Sequence, residues 1–139
     1  MEYRRYADAY LVRFDKGDEI MEQLALLTKK EGIRLAAVSA LGATDDFTVG
    51  VFDPKAKQYR PCRFTGDHEI VCLTGTVTEK DGAPYLHLHM SAGGLDGRVV
   101  GGHLTRAVVS LTCEMTLRLL PGKAGRVFNE DLGINLIEF

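Results

Sequence analysis

No apolar run in this chain approaches the roughly 18 residues needed to cross a bilayer, so a membrane-spanning helix is not expected. The N-terminal Met1-Glu-Tyr-Arg-Arg-Tyr-Ala-Asp8 lacks the apolar core of a secretory signal. Basic clusters are equally scarce. The densest is Arg4-Arg5, and the net charge is −2 with a pI near 6.1, so nothing in the bulk electrostatics draws the chain to nucleic acid or anionic lipid. Cysteine is limited to Cys62, Cys72 and Cys113, widely spaced and odd in number. That excludes a disulfide framework and a Cys-x-x-Cys metal or redox motif. Each lies in a strand-like segment and is expected as a small, reduced, buried residue. Internal repeats, low-complexity tracts and linkers are also missing. These absences leave a single cytoplasmic domain over residues 1–139, with a composition of 45% hydrophobic and 26% charged residues that supports an ordinary core.

What is present is mostly β-pattern. Strands are expected over Tyr6–Phe14, Ile33–Leu41, Phe47–Asp53, Gln58–Phe64, Glu69–Thr78, Pro84–Ala92, Leu104–Leu120 and Leu132–Phe139. Pro61 suits an edge position in the fourth of these. Asp81-Gly82 between the fifth and sixth is a hairpin signal. One helix is expected over about 19–31, with Ile20, Leu24 and Leu27 on one stripe, Asp15–Asp18 supplying the turn and N-cap, and Gly32 the stop. Many strands with one early helix indicate an α+β, mostly antiparallel fold.

The chemistry concentrates between residues 87 and 103. Three of the four histidines lie there. His87 and His89 alternate with Leu86, Leu88 and Met90, so both imidazoles leave one face of a strand while the apolar residues pack on the other. A glycine-rich connection, Gly93-Gly94-Leu-Asp-Gly97 with Gly101-Gly102 beyond, then delivers His103. It matches neither Gly-x-Gly-x-x-Gly nor a Walker pattern, and no nucleotide cofactor is expected from it. Glycine there serves left-handed backbone or close chain approach. Three convergent imidazoles suit a divalent transition metal, zinc first among them, and three protein ligands leave one coordination position open. His68 lies outside the group and is expected to be an ordinary polar residue. Glu69 and Glu114, set among apolar strand residues, are the candidate acid–base groups. The plainer expectations are edge exposure for Glu69 and, for Glu114, a structural ion pair with one of Arg13, Arg106, Arg118 or Arg126.

Several segments taken together resemble a known family. They are Leu11–Ile20, Gly42-Ala43, Glu69-Ile-Val-Cys-Leu-Thr-Gly75, His87-Leu-His89, Asp96-Gly-Arg-Val-Val-Gly-Gly-His-Leu104 and Glu114-Met-Thr-Leu117, in that order. From about Ala7 to Leu136 the chain resembles the plants-and-prokaryotes-conserved (PPC) domain, which follows AT-hooks in plant AT-hook nuclear-localised proteins and stands alone in prokaryotes. The resemblance implies a homotrimer and, for the prokaryotic type, metal ligation by the residues matching His87, His89 and His103. It also implies a DNA-binding label inherited from the plant proteins. In those proteins the AT-hook makes the contact, and this chain has no Arg-Gly-Arg-Pro arm, so direct DNA binding is not expected. Two readings follow: a trimeric metal-binding module with a small ligand or protein partner, or a metal-dependent enzyme acting on a small molecule. DNA-associated regulation is a third.

Overall fold

A computed structural model describes all residues, 1–139. The chain runs β1 (Glu2–Tyr6), β2 (Ala9–Asp15), α1 (Ile20–Lys30), β3 (Ala36–Asp53), β4 (Gln58–Lys80), β5 (Ala83–Gly94), β6 (Val99–Leu119), β7 (Gly125–Asn129) and β8 (Ile134–Glu138). Six strands form an antiparallel sheet in the order β1-β2-β6-β3-β4-β5, and the N-terminal end of β6 pairs back onto β5. Strands β3, β4, β5 and β6 therefore close on one another. The expected mostly antiparallel α+β architecture with one helix is what forms. The remaining pair, β7 and β8, makes a separate two-stranded ribbon.

The closed sheet buries one face of each strand. Val12, Phe14, Leu73, Leu88, Met115 and Leu117 alternate with outward residues and pack with Ile20, Leu24 and Leu27 of α1 in one continuous core. The helix stripe is as expected, but the cap is Glu19 rather than Asp18. The Glu19 carboxylate accepts from the backbone N–H groups of Met21 and Glu22 at 3.2 and 2.7 Å, and from Ala107 N–H at 2.8 Å, which ties the helix to β6. Asp18 is drawn away to the N-terminal ammonium, 2.8 Å distant, and to Asp15 N–H. Gly32 takes φ +63° just past the helix, where other residues would be strained.

Strands expected separately are continuous. Ile33–Leu41 and Phe47–Asp53 join as β3, carried through register shifts between Ala40 and Gly42 and between Thr44 and Asp46. Gln58–Phe64 and Glu69–Thr78 join as β4. The first part of β4, around Pro61, pairs only with β3, so the proline does sit at an edge. Asp81 and Gly82, at φ +52° and +78°, make the two-residue turn between β4 and β5.

The cysteines correct the sequence reading. Only Cys113 is buried; Cys62 and Cys72 stand exposed on outward positions of β4. Burial pushes the Cys113 thiol up to about 12, so it has almost no thiolate at neutral pH. A disulfide reagent is expected to titrate two thiols per folded chain and the third only after unfolding. Three fast-reacting thiols in the native protein would refute this arrangement.

Candidate metal centre

The geometry of the site follows from one pairing. In the antiparallel register His89 of β5 lies directly opposite His103 of β6, and His87 is two residues along β5 on the same face. The three rings sit at centroid separations of 5.3 Å (87 to 89), 5.3 Å (87 to 103) and 5.4 Å (89 to 103). One ring nitrogen from each lies within 4.8 Å of the others. Two nitrogens on one tetrahedral zinc are about 3.4 Å apart, so the cluster needs only a modest inward turn of the rings to grip an ion. On the opposite face Leu88 and Met90 are fully buried, which fixes the orientation of β5.

The glycine-rich segment is mostly strand rather than loop. The connection is a short turn over Leu95–Arg98, with Gly97 at φ +78°, and Gly93, Gly94, Gly101 and Gly102 all lie in strands. Of the two expected roles, left-handed backbone falls to Gly97 and close approach to Gly101 and Gly102. A Cβ at Gly101 would lie 2.6 Å from Met90 O, and one at Gly102 would lie 2.6 Å from Gly50 O. The pair lets β6 thread between β5 and β3 immediately before His103, which is why the third imidazole arrives in register with the second.

At His87 and His103 the surroundings favour neutral imidazole, the form that binds metals. Burial, the charge of Arg126 and that of His89 depress the pKa of His87; burial followed by the charges of His87 and His89 depresses that of His103 to about 4. His103 Nδ1 is buried with no hydrogen-bond partner, and its ring stacks on Tyr59 at 4.5 Å. An orphaned buried ring nitrogen within a three-imidazole group fits a cation. The lowered values also set a pH dependence. The unfolded chain binds protons on these histidines below about 6.5, whereas folded His103 resists until about 4. Stability of the metal-free protein is therefore full above about pH 6.5 and falls as pH drops toward 4. Melting temperatures across that window should decline less steeply in His103→Phe than in the wild type; parallel slopes would contradict this origin.

The other sequence candidates lie elsewhere. Glu114 is exposed, with Arg13 and Leu41 beside it in register, and makes no ion pair. Arg13 bonds Glu2 and Asp15, and Arg106 bonds Asp46. Glu114 follows His103 by eleven positions, roughly 35 Å along the strand. Glu69 is exposed opposite Ala43 and Gly93. Five positions of β4, roughly 16 Å, separate it from Thr74, the partner of His89. His68 packs edge-on against Phe47 and binds the Gly66 carbonyl at 2.7 Å. The structure thus brings the three histidines together and neither glutamate to them.

What sequence reasoning missed is the place of Arg126, considered there only as a partner for Glu114, with which it makes no ion pair. It sits on β7, where the C-terminal ribbon crosses β4, and its Nη2 is 3.4 Å from His87 Nδ1. No local pattern marks it, because ribbon and histidines are joined only by tertiary contact.

The profile of the Plants and Prokaryotes Conserved (PCC) domain matches residues 1–121. The chain belongs to this family. Solved structures agree with the family fold over nearly the whole chain. A metal-containing protein from Archaeoglobus fulgidus is 32% identical, with a TM-score of 0.88, over 99% of this chain and 97% of its own. A PPC protein from Pyrococcus horikoshii is 31% identical, with a TM-score of 0.87, over 99% and 94%. A Bacteroides thetaiotaomicron protein provisionally described as DNA-binding is 30% identical, with a TM-score of 0.96, over 99% and 96%. A search of the curated proteins finds no match. No helix of this PCC-domain chain is long and apolar enough to cross a membrane.

Proposed function

We propose that this PCC-domain protein is a homotrimeric metal-binding module that holds one divalent transition metal, zinc by preference, on His87, His89 and His103. The carrying observation is the convergence of three ring nitrogens within 4.8 Å across the β5–β6 pairing. The metal-containing relative from Archaeoglobus supports it. All three donors are neutral nitrogens, which suits zinc and disfavours magnesium or calcium. When bound, the ion would supply Lewis acidity beside one open position; the three imidazoles would hold it, with the Tyr59 ring fixing His103.

Assembly is supported by the outer face of the sheet. Leu11, Leu41 and Leu111 on the neighbouring strands β2, β3 and β6 are 53%, 59% and 69% exposed. Exposed leucines on three adjacent strands of a small chain suit cover by other copies. Elemental analysis of protein purified without a nickel column should find about one divalent metal per chain, and light scattering should give three times the 15.3 kDa chain mass. Metal at trace level refutes the site; a monomer mass refutes the assembly.

The description of the Bacteroides relative favours a second reading, association with DNA. Against it stands the net charge of −2 over these 139 residues. Phosphate-driven binding must weaken steeply with salt, so a duplex gel shift that appears at low salt and vanishes at high salt would establish this reading in place of ours.

A further inference from the structure

His87 and His103 form one wall of a cavity of about 190 Å³, whose other lining includes the aromatic rings of Tyr59 and Tyr85, and Arg126 and Asn135 of the C-terminal ribbon. Arg126 and Asn135 lie beyond residue 121, where the family match ends. Arg126 is half-buried and has no carboxylate within salt-bridge distance, unlike Arg13, Arg34, Arg60, Arg63, Arg98 and Arg106. Its guanidinium lies over the Tyr85 ring at 4.6 Å, Nε donates to Thr78 Oγ1 at 2.8 Å, and Nη1 donates to the Asn135 carbonyl at 3.1 Å. Its Nη2 has only His87 Nδ1, at 3.4 Å. Asn135 Nδ2 donates to Tyr85 OH at 3.3 Å, while Asn135 Oδ1 is buried with no donor.

Metal loading changes this wiring whichever nitrogen of His87 is used. A guanidinium only donates, so the contact needs a bare lone pair on His87 Nδ1. Ligation through Nδ1 takes that lone pair. Ligation through Nε2 leaves the neutral ring's proton on Nδ1. In both cases Arg126 Nη2 loses its acceptor inside a partly desolvated cavity, and a cation arrives next to it. An unpaired guanidinium there calls for an anion.

Resting on the metal reading above, we infer that this cavity binds a small organic carboxylate carrying a hydroxyl or amine donor, and that metal loading switches the site on. Arg126 receives the carboxylate, Asn135 Oδ1 takes the donor, and the tyrosine rings cover the apolar body. The volume is somewhat larger than the ~150 Å³ that holds benzene, so the ligand is a single ring or a short branched chain with its polar head. Affinities are reciprocal in such coupling, and the carboxylate must tighten the metal by the same factor.

The test uses the full-length protein with cobalt(II), whose visible spectrum reports the histidine site by itself, and calorimetric titration of mandelate against its neutral analogue 1-phenylethane-1,2-diol. Cobalt-loaded wild type should bind mandelate at least tenfold more tightly than the diol, and at least tenfold more tightly than the metal-free protein does. Arg126→Gln should lose tenfold or more for mandelate and little for the diol, with an unchanged cobalt spectrum. Because Arg126 also anchors the ribbon, Asn135→Leu, which leaves the Arg126 bonds to Thr78 and to the backbone in place, provides a second arm, in which mandelate and the diol, both carrying the hydroxyl, should weaken together. Cobalt bound with a normal spectrum but equal binding of the two probes, or none, overturns this inference and spares the metal site. No cobalt spectrum overturns the metal site itself.

Discussion

Replacing His103 with alanine should raise the dissociation constant for zinc by about a hundredfold or more. Structural zinc sites with four ligands are worth about 10–16 kcal/mol in all, roughly 3 kcal/mol per ligand, and 1.4 kcal/mol is a factor of ten. His103 is the donor whose removal isolates the cause best. It is the one ligand on β6, its Nδ1 has no other partner, and its pKa is already held near 4 by burial. The loss should therefore appear as metal affinity rather than as a broken hydrogen-bond network. His68→Ala is the control, because that ring packs on Phe47 away from the cluster and should leave affinity unchanged. Competition titration with a chromophoric chelator reads both. Equal affinity in His103→Ala and wild type would remove His103 from the site.

Gly75→Ala should be the most damaging small substitution. Gly75 lies between Val38 of β3 and Leu88 of β5, and a Cβ there would run into the carbonyl oxygen of His87 and stand 2.9 Å from Leu88 Cα. Both obstacles are backbone, so relief requires moving the strand that carries two of the three imidazoles. Overpacking of this kind costs about 3 kcal/mol, which lowers the melting temperature by about 10 °C in a chain of this size. Metal affinity should fall with it. Gly66→Ala is the comparison: its φ of +93° is strained for alanine, but nothing lies within 4 Å of the added carbon, so the loss should stay near 1 kcal/mol. If both variants melt alike, close packing at Gly75 is not what the glycine provides.

The parts of this molecule that were legible in its sequence are those governed by local period. His87-Leu88-His89 alternates, and the structure puts both rings on one face over a buried Leu88. The α1 stripe and the Asp81-Gly82 turn are local in the same sense. Continuity through bulges was not legible. Gly42 and Asp45-Asp46 look like strand breakers, yet β3 passes them by shifting register against two neighbours. Glu114 looked buried because its neighbours Cys113 and Met115 are apolar, although alternation itself sends it outward, and it is exposed. Gly101-Gly102 looked like loop because close backbone approach leaves the same glycine signature as a turn. The pairing of Arg126 with His87 carried no signal, since it spans 39 residues and exists only once the ribbon has docked; in the sequence Arg126 suggested only a partner for Glu114.

X-ray absorption at the metal edge of the native protein, purified without added metal, tests the histidine site most directly. The account predicts zinc with three imidazole nitrogens at about 2.0–2.1 Å and one further light atom, a shell that loses imidazole scattering in His103→Ala. Sulfur at about 2.3 Å, which would have to come from the exposed Cys62 or Cys72, or an imidazole shell that His103→Ala leaves intact, would contradict it.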